Sequence, residues 1–176
     1  MTAKFRIESL ATIHDRTTFH SESEALDRYF TQQVTQDVRR RVTACFVAIA
    51  NEEGLVAGYY TLAASSVVLT SLPDATTKKL PRYPSVPTVR LGHLAVDQRF
   101  TGQGLGAALL ADALTRSSSA EIAAFALVVD AKDEGASAFY RHHGFIPLLQ
   151  NPLTLFLPLS TAAPLIRRNT ARPTGA

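Results

Sequence analysis

The stretch "TGQGLGAALL", residues 101–110, sets glycine at 102, 104 and 106 and then passes directly into helix formers. In a regular element each glycine costs about 0.5–1 kcal/mol relative to alanine. A chain keeps three of them where backbone must turn sharply or approach something closely. The residues before them, "TVRLGHLAVD" (88–97), read as a strand, and those after, "LGAALLADALTRS" (105–117), as a helix with one apolar face. The first N–H groups of a helix have no partner within it, and the helix dipole favours negative charge there. A strand, a glycine loop and a helix in that order therefore make an anion site.

Two familiar glycine loops do not fit. A P-loop ends in Gly-Lys-Ser/Thr, whereas Gly106 is followed by Ala107 and Ala108. A dinucleotide fingerprint has G-x-G-x-x-G early in a βαβ unit with an acid about 20 residues on. Here the spacing is G-x-G-x-G and lies mid-chain. The plain alternative is a tight turn with close helix packing.

Around the loop the chain punctuates clearly. "FHSESEALDRYFTQQVTQDVRRR" has Ser21 with Glu24 three residues on, a capping box opening a helix. Leu26, Tyr29, Phe30, Val34 and Val38 recur at helical spacing and predict one buried face. "VTACFVAIA" (42–50), the turn "NEEG" and "LVAGYYTLAASSVVL" predict an antiparallel hairpin. Pro73, Pro81, Pro84 and Pro87 exclude a long regular element over residues 71–87. "EIAAFALVVDA" (121–131) is apolar throughout, as expected of a strand covered on both faces. "KDEGASAFYRHHGF" predicts a short helix stopped by Gly144, with Asp133 or Glu134 capping its start, and "PLTLFLPLS" a last strand. No repeat and no linker interrupts this order, which predicts one mixed α/β domain over residues 1–160 and a flexible tail over 161–176.

Composition narrows the class. With 46% hydrophobic and 19% charged residues, the chain is expected to be globular. It carries no apolar run of membrane-spanning length and no signal-peptide core, which gives a cytoplasmic expectation. The single cysteine, Cys45, forms neither an internal disulfide nor a zinc site and reads as buried filler; no metal is expected. The net charge of +3 resides in the segment after Pro158, where Arg167, Arg168 and Arg172 meet no acid. Elsewhere charge is balanced but clustered. Lys78, Lys79, Arg82, Arg90 and Arg99 face one acid, Asp97, and Arg39–Arg41 form a second basic run. Such runs are either a solvated face or an anionic partner's footprint.

"LAVDQRFTGQGLGAALLADAL" resembles the acyl-CoA-binding motif of the GNAT superfamily of N-acetyltransferases, whose pattern is Arg/Gln-x-x-Gly-x-Gly/Ala. "DAKDEGASAFYRHHGF" resembles that family's second signature, a helix ending in Phe-Tyr before a Gly-Phe strand start. The resemblance implies a single mixed, mostly antiparallel sheet flanked by helices, with acetyl-CoA as co-substrate. It implies that Thr101, Gly102, Gln103, Gly104, Leu105, Gly106 and Ala107 hold the pyrophosphate. Leu94, Ala95 and Val96 would offer main-chain groups to the pantetheine arm, beside Phe139. Thr101 departs from the family pattern, which has Arg or Gln there.

The wider match, from about Phe19 to Leu159, includes "FHSESEALDRYFTQQVTQD", "GYYTLAASSV" and "LGHLAVD". It is similar to the acetyltransferase toxins of bacterial toxin–antitoxin pairs, which acetylate the free amine of aminoacyl-tRNA. That likeness implies a homodimer, with the apolar strand "LTLFL" as a possible contributor. It also implies a ribbon-helix-helix antitoxin, and operator DNA contacted only through that antitoxin. In that group the position of His93 is more often Arg.

Acetyl transfer to an amine poses two proton problems: the amine must be neutral to attack, and the thiolate must be protonated to leave. An α-amino group of pKa about 7.7–8.0 is already partly neutral at pH 7, so a strong base is not required. Tyr140 is the expected general acid, because the resemblance places its hydroxyl near the CoA sulfur; its alternative is packing under the loop. His93 either contacts the acceptor or packs. His142 and His143 read as helix-end charge. Arg39, Arg40, Lys78, Lys79, Arg82 and Arg90 are expected to bind tRNA phosphates. Two other readings are compatible with the sequence: an acetyltransferase for small molecules or proteins, and a CoA-binding or DNA-bound module without catalysis.

Overall fold

The computed structural model describes residues 3–171. Strand β1 (Phe5–Ser9) comes first and has no counterpart in the sequence reading. It is an edge strand held by antiparallel pairing of Phe5 with Ala50 through Ser9 with Phe46.

The N-terminal helical stretch is three pieces. Helix α1 (Glu24–Arg28) passes into a π-helical turn, Tyr29–Gln33, and then into α2 (Val34–Arg39). The expected capping box is not formed. Ser23 is the cap, accepting from the Leu26 N–H at 3.3 Å. Ser21 instead turns to the buried Asp27 carboxylate, donating its hydroxyl at 2.6 Å and its backbone N–H at 3.0 Å. A buried carboxylate needs donors, and Ser21 supplies them. The π turn also breaks the expected 3.6-residue face. Phe30 and Val34 are fully buried, whereas Val38 is exposed.

Strands β2 (Ala44–Ala50) and β3 (Val56–Val68) form the expected hairpin, turning at Gly54 with φ +69°. Helix α3 (Asp74–Thr77) is one short turn in the proline-bearing connection. Strand β4 (Ser85–Val96) starts before the expected residue 88 and includes Pro87. Pro87 is tolerated because it lies ahead of the first β5 pairing, at Thr88. Helix α4 (Leu105–Ser119) follows the glycine loop. Strand β5 (Ala126–Asp130) is shorter than expected, since Glu121–Phe125 is loop and leaves Ile122 exposed. Periodicity cannot separate an apolar loop from a buried strand. Helix α5 (Glu134–His142), strand β6 (Ile146–Pro147), strand β7 (Thr154–Pro158) and helix α6 (Ala163–Ala171) complete the described chain.

The sheet order is β1-β2-β3-β4-β5-β7-β6, antiparallel at every pairing except β4 with β5. This is the mixed, mostly antiparallel sheet flanked by helices that the resemblance implied. Alternation along the strands builds the two layers. Ala48, Ala50, Tyr60, Leu127, Val129, Leu155 and Leu157 pack with Leu105, Leu109, Leu110 and Leu114 of α4. Cys45, Val47, Ile49 and Tyr59 pack on the opposite face with Phe19, Phe30 and Val34. Cys45 is thus buried in an apolar cluster, as its sequence context indicated.

Two of the expectations about the C-terminal part change. Residues 163–171 form α6, and Leu165 and Ile166 pack on the core, so the segment after 160 is not simply a flexible tail. Residues 172–176, with Arg172, lie outside the described residues. Strand β7 lies between β5 and β6, and Leu155, Phe156 and Leu157 are buried within the protomer. Their side chains are therefore not available as a dimer face.

Gly58 of β3 lies under α4 with no room for a side chain. A Cβ there would meet the Ala95 carbonyl oxygen and Leu109 Cδ1, each at 3.0 Å. Gly58→Ala should destabilise by about 1–3 kcal/mol through overpacking, read as a lower urea midpoint at unchanged slope. An unchanged midpoint would show that α4 can retreat freely.

Candidate active site

The site is built by two strands that part. β4 and β5 pair only from Thr88 opposite Ala126 to Leu91 opposite Val129. Beyond that point β5 ends, while β4 continues to Val96, paired on its other side with Gly58, Tyr59 and Tyr60 of β3. From Gly92 to Val96 one edge of β4 therefore has no neighbouring strand. A cleft of about 250 Å³ opens there, lined by Leu91–Leu94 of β4, Gly106 of α4, and Ala136, Phe139 and Tyr140 of α5. Leu26, Asp130 and Lys132 complete its wall.

The glycine loop is anchored from below by Asp97. Its carboxylate, 1% exposed, accepts from the His20 N–H at 3.0 Å, the Arg99 N–H at 2.9 Å and Arg99 Nε at 2.9 Å. Burial works against its charge, but the Arg99 guanidinium and the two backbone N–H groups hold it below the ordinary carboxylate range. Gly102 and Gly104 have φ of +75° and +76°, the left-handed region that disfavours a side chain. Gly106 has a different reason. A Cβ there would meet only the Phe139 ring, at 3.8 Å, so glycine leaves the first turn of α4 open to the cleft.

No side chain caps α4. Thr101, Gly102, Gln103 and Gly104 are exposed at its start, Leu105 is buried beneath, and Ala107 is half-buried. The Thr101 hydroxyl donates back to the Gln98 carbonyl at 3.1 Å, so it serves the loop itself. Leu94 and Val96 are half-buried, and Ala95 is buried against the α1 side of the sheet.

Tyr140 lies on α5, whose N-terminus is capped by Asp133 accepting from Ala136 N–H at 2.8 Å. Gly144, φ +92°, ends that helix as the sequence indicated. Tyr140 is 6% exposed, edge-on to Phe139 and Phe145 at 5.2 and 5.5 Å. Burial and the nearby Asp130 charge push its hydroxyl above the ordinary tyrosine range, so it stays protonated at neutral pH. His142 is exposed, and His143 stands edge-on to Phe139 at 4.8 Å.

His93 comes into the cleft through a bulge. Tyr60 pairs with Leu94 and Leu62 with Leu91, so Gly92 and His93 together oppose Thr61. The Thr61 hydroxyl lies 2.9 Å from His93 Nδ1. The imidazole stacks on Tyr29 with centroids 3.6 Å apart and planes 7° from parallel. Tyr29 in turn donates its hydroxyl to Asp37 at 2.9 Å. Burial lowers the His93 pKa below the usual imidazole value, with Asp37 acting the other way. Sequence reading took Tyr29 and Leu26 for plain core and passed over Thr61, Gly92 and Lys132. An apolar residue on a helical stripe carries no sign of facing a cleft.

The basic residues divide. Arg39, Arg40, Lys78, Lys79 and Arg82 are exposed, outside the cleft. Arg90 is half-buried and paired with Asp130, which also accepts from Thr154 at 2.9 Å. Its charge is already matched within the chain. Of the residues expected at the site, the cleft gathers His93, Leu94, Gly106, Phe139 and Tyr140; the rest of the glycine loop flanks it.

At this cleft a parted parallel pair of strands meets the open N-terminus of α4, with a buried tyrosine opposite. The chain belongs to the GNAT acetyltransferase family, whose model matches residues 7–145. It is similar to the tRNA-acetylating toxin of Mycobacterium tuberculosis, 35% identical over 154 residues that cover 86% of this chain and 90% of that protein. Among solved structures it resembles AtaT complexed with acetyl-methionyl-tRNAfMet, with TM-score 0.84, 34% identity, and coverage of 92% of this chain and 98% of that one. It also resembles a tyrosine-to-phenylalanine AtaT toxin bound to the C-terminus of the antitoxin AtaR and acetyl-CoA. There the TM-score is 0.77 at 30% identity, covering 93% of this chain and 98% of that one.

Proposed function

We propose that this chain is an acetyltransferase toxin that moves the acetyl group of acetyl-CoA to the α-amine of aminoacyl-tRNA. The observation that carries it is similarity over nearly the full length of tRNA-acetylating relatives, joined to a cleft with the parts the reaction needs. Acetyl-CoA fits this cleft. The uncapped N-terminus of α4, with Thr101, Gly102, Gln103, Gly104, Leu105, Gly106 and Ala107, offers backbone N–H groups to a pyrophosphate. The free edge of β4 at Leu94, Ala95 and Val96 offers main-chain partners to an extended pantetheine arm, with Phe139 alongside. Tyr140 protonates the departing sulfur.

Arg39, Arg40, Lys78, Lys79 and Arg82 supply sequence-independent contacts to tRNA phosphates. Arg90, paired with Asp130, has a lesser part in this than the sequence suggested. The same reading gives a homodimer neutralised by a ribbon-helix-helix antitoxin, with operator DNA contacted only through the antitoxin and action in the cytoplasm. Among the described residues no helix is long and apolar enough to cross a membrane.

The deciding experiment offers purified protein, labelled acetyl-CoA, and charged tRNA beside uncharged tRNA and free amino acids. Label confined to charged tRNA is the expected result; label on free amines instead supports a metabolic acetyltransferase. Reversing Arg39, Arg40, Lys78 and Lys79 to Glu should lower kcat/KM for charged tRNA by on the order of 10²-fold and flatten its salt dependence. A rate that stays unchanged and insensitive to salt would reduce these residues to a solvated surface.

A further inference from the structure

The mechanism above leaves the proton of the attacking amine without an acceptor. We infer that His93 Nε2 is that acceptor, presented to the cleft by the β4 bulge and fixed by Thr61 and Tyr29. The inference rests on the acetyl-transfer reading and deepens it.

Three independent features hold the ring. The bulge opposite Thr61 turns Gly92 and His93 out of the regular ladder beside the unpaired edge of β4. A β-bulge re-aims a side chain in this way next to active sites. Gly92 also sits close to the same hydroxyl, since a Cβ there would meet Thr61 Oγ1 at 3.3 Å. Thr61 engages Nδ1 at 2.9 Å, and Tyr29 covers one ring face at 3.6 Å. Among the described residues Nε2 has no hydrogen-bond partner, and His93 and Tyr140 line one cleft. With Nδ1–H donating to Thr61, the Nε2 lone pair is left for a ligand.

The charge setting suits a base. Tyr29 stacks on the ring and Asp37 acts on it from the N-terminal helices, while Tyr140 of α5, Asp130 at the end of β5 and Lys132 beyond it line the same cleft. Burial outweighs Asp37, so the imidazole is neutral at pH 7 and able to accept a proton. An arginine at this position would have no such capacity.

The step balances. The amine nitrogen bonds to the thioester carbonyl carbon as the carbon–sulfur bond breaks. The nitrogen's proton passes to His93 Nε2, and the Tyr140 hydroxyl proton passes to the sulfur. Solvent then returns the imidazolium and the tyrosinate to their starting forms.

The test is the pH dependence of kcat/KM for charged tRNA from about pH 4.5 to 8, on wild type, His93→Gln and Thr61→Val. In the wild type both amine and imidazole must be unprotonated, so the acid limb should steepen to a log–log slope of about two. His93→Gln keeps the amine limb alone, with slope about one, and should be slower by on the order of 10²-fold at neutral pH. Its acetyl-CoA binding, followed by calorimetry, should be unchanged, which also reports its fold. Thr61→Val should keep both ionisations with a loss of roughly tenfold. A wild-type slope of one throughout, or a His93→Gln profile superimposed on wild type, overturns the assignment. If wild type acetylates only free amines, the tRNA reading fails, and the same slopes on that amine decide His93.

Discussion

Tyr140→Phe should fold as wild type and lose acetyl transfer by on the order of 10²–10⁴-fold, the range for removal of a general acid. The ring's contacts with Phe139 and Phe145 survive the change. Among the described residues no hydrogen bond involves the Tyr140 hydroxyl, so its loss leaves no protein partner unsatisfied. Stability therefore should hardly move, and the effect should fall on kcat with acetyl-CoA binding kept. Initial rates with labelled acetyl-CoA, beside a thermal melt, separate the two quantities. Activity comparable to wild type would return Tyr140 to a packing role.

Phe30→Ala should cost about 3–5 kcal/mol, the range for a fully buried aromatic. The side chain is completely buried, stacked on Tyr59 at 4.1 Å and edge-on to Phe19 at 4.9 Å. Its carbonyl accepts from Arg16 at 2.5 Å, and that guanidinium also holds Thr35 at 2.8 Å across the π turn. Because a domain of this size has about 5–15 kcal/mol in all, the variant should be marginal at 37 °C. Urea unfolding gives the midpoint and slope directly. Since Tyr29 precedes Phe30 in the π turn, a folded variant should also show weakened acceptor turnover. A loss under about 1 kcal/mol would mean that the N-terminal helices do not depend on this anchor.

Much of the architecture was open to a reader of the sequence. The hairpin, the glycine loop into α4, and the α5 cap and stop each rest on local chemistry: β-branched runs, left-handed glycines, an Asp side chain reaching a first-turn N–H. Local signals were weaker elsewhere for identifiable reasons. Ser21 and Ser23 are both good caps, and the choice fell to a buried Asp27 that required donors. Strand β1 forms only because β2 offers it an edge. The apolar β7 suggested an exposed association surface until its place between β5 and β6 was known.

The sequence by itself determined the order hairpin, β4, glycine loop, α4, β5, α5 and β7, and the motif that places Tyr140 on a short helix, because each depends on residues within a few positions of one another. Tertiary structure alone decided which side chains share the cleft. Arg90 spends its charge on Asp130, forty positions away, and His93 meets Thr61 and Tyr29 from two other elements. Those meetings follow from strand register, a bulge and a π turn. Each is the outcome of packing two layers against one sheet, which no local pattern encodes.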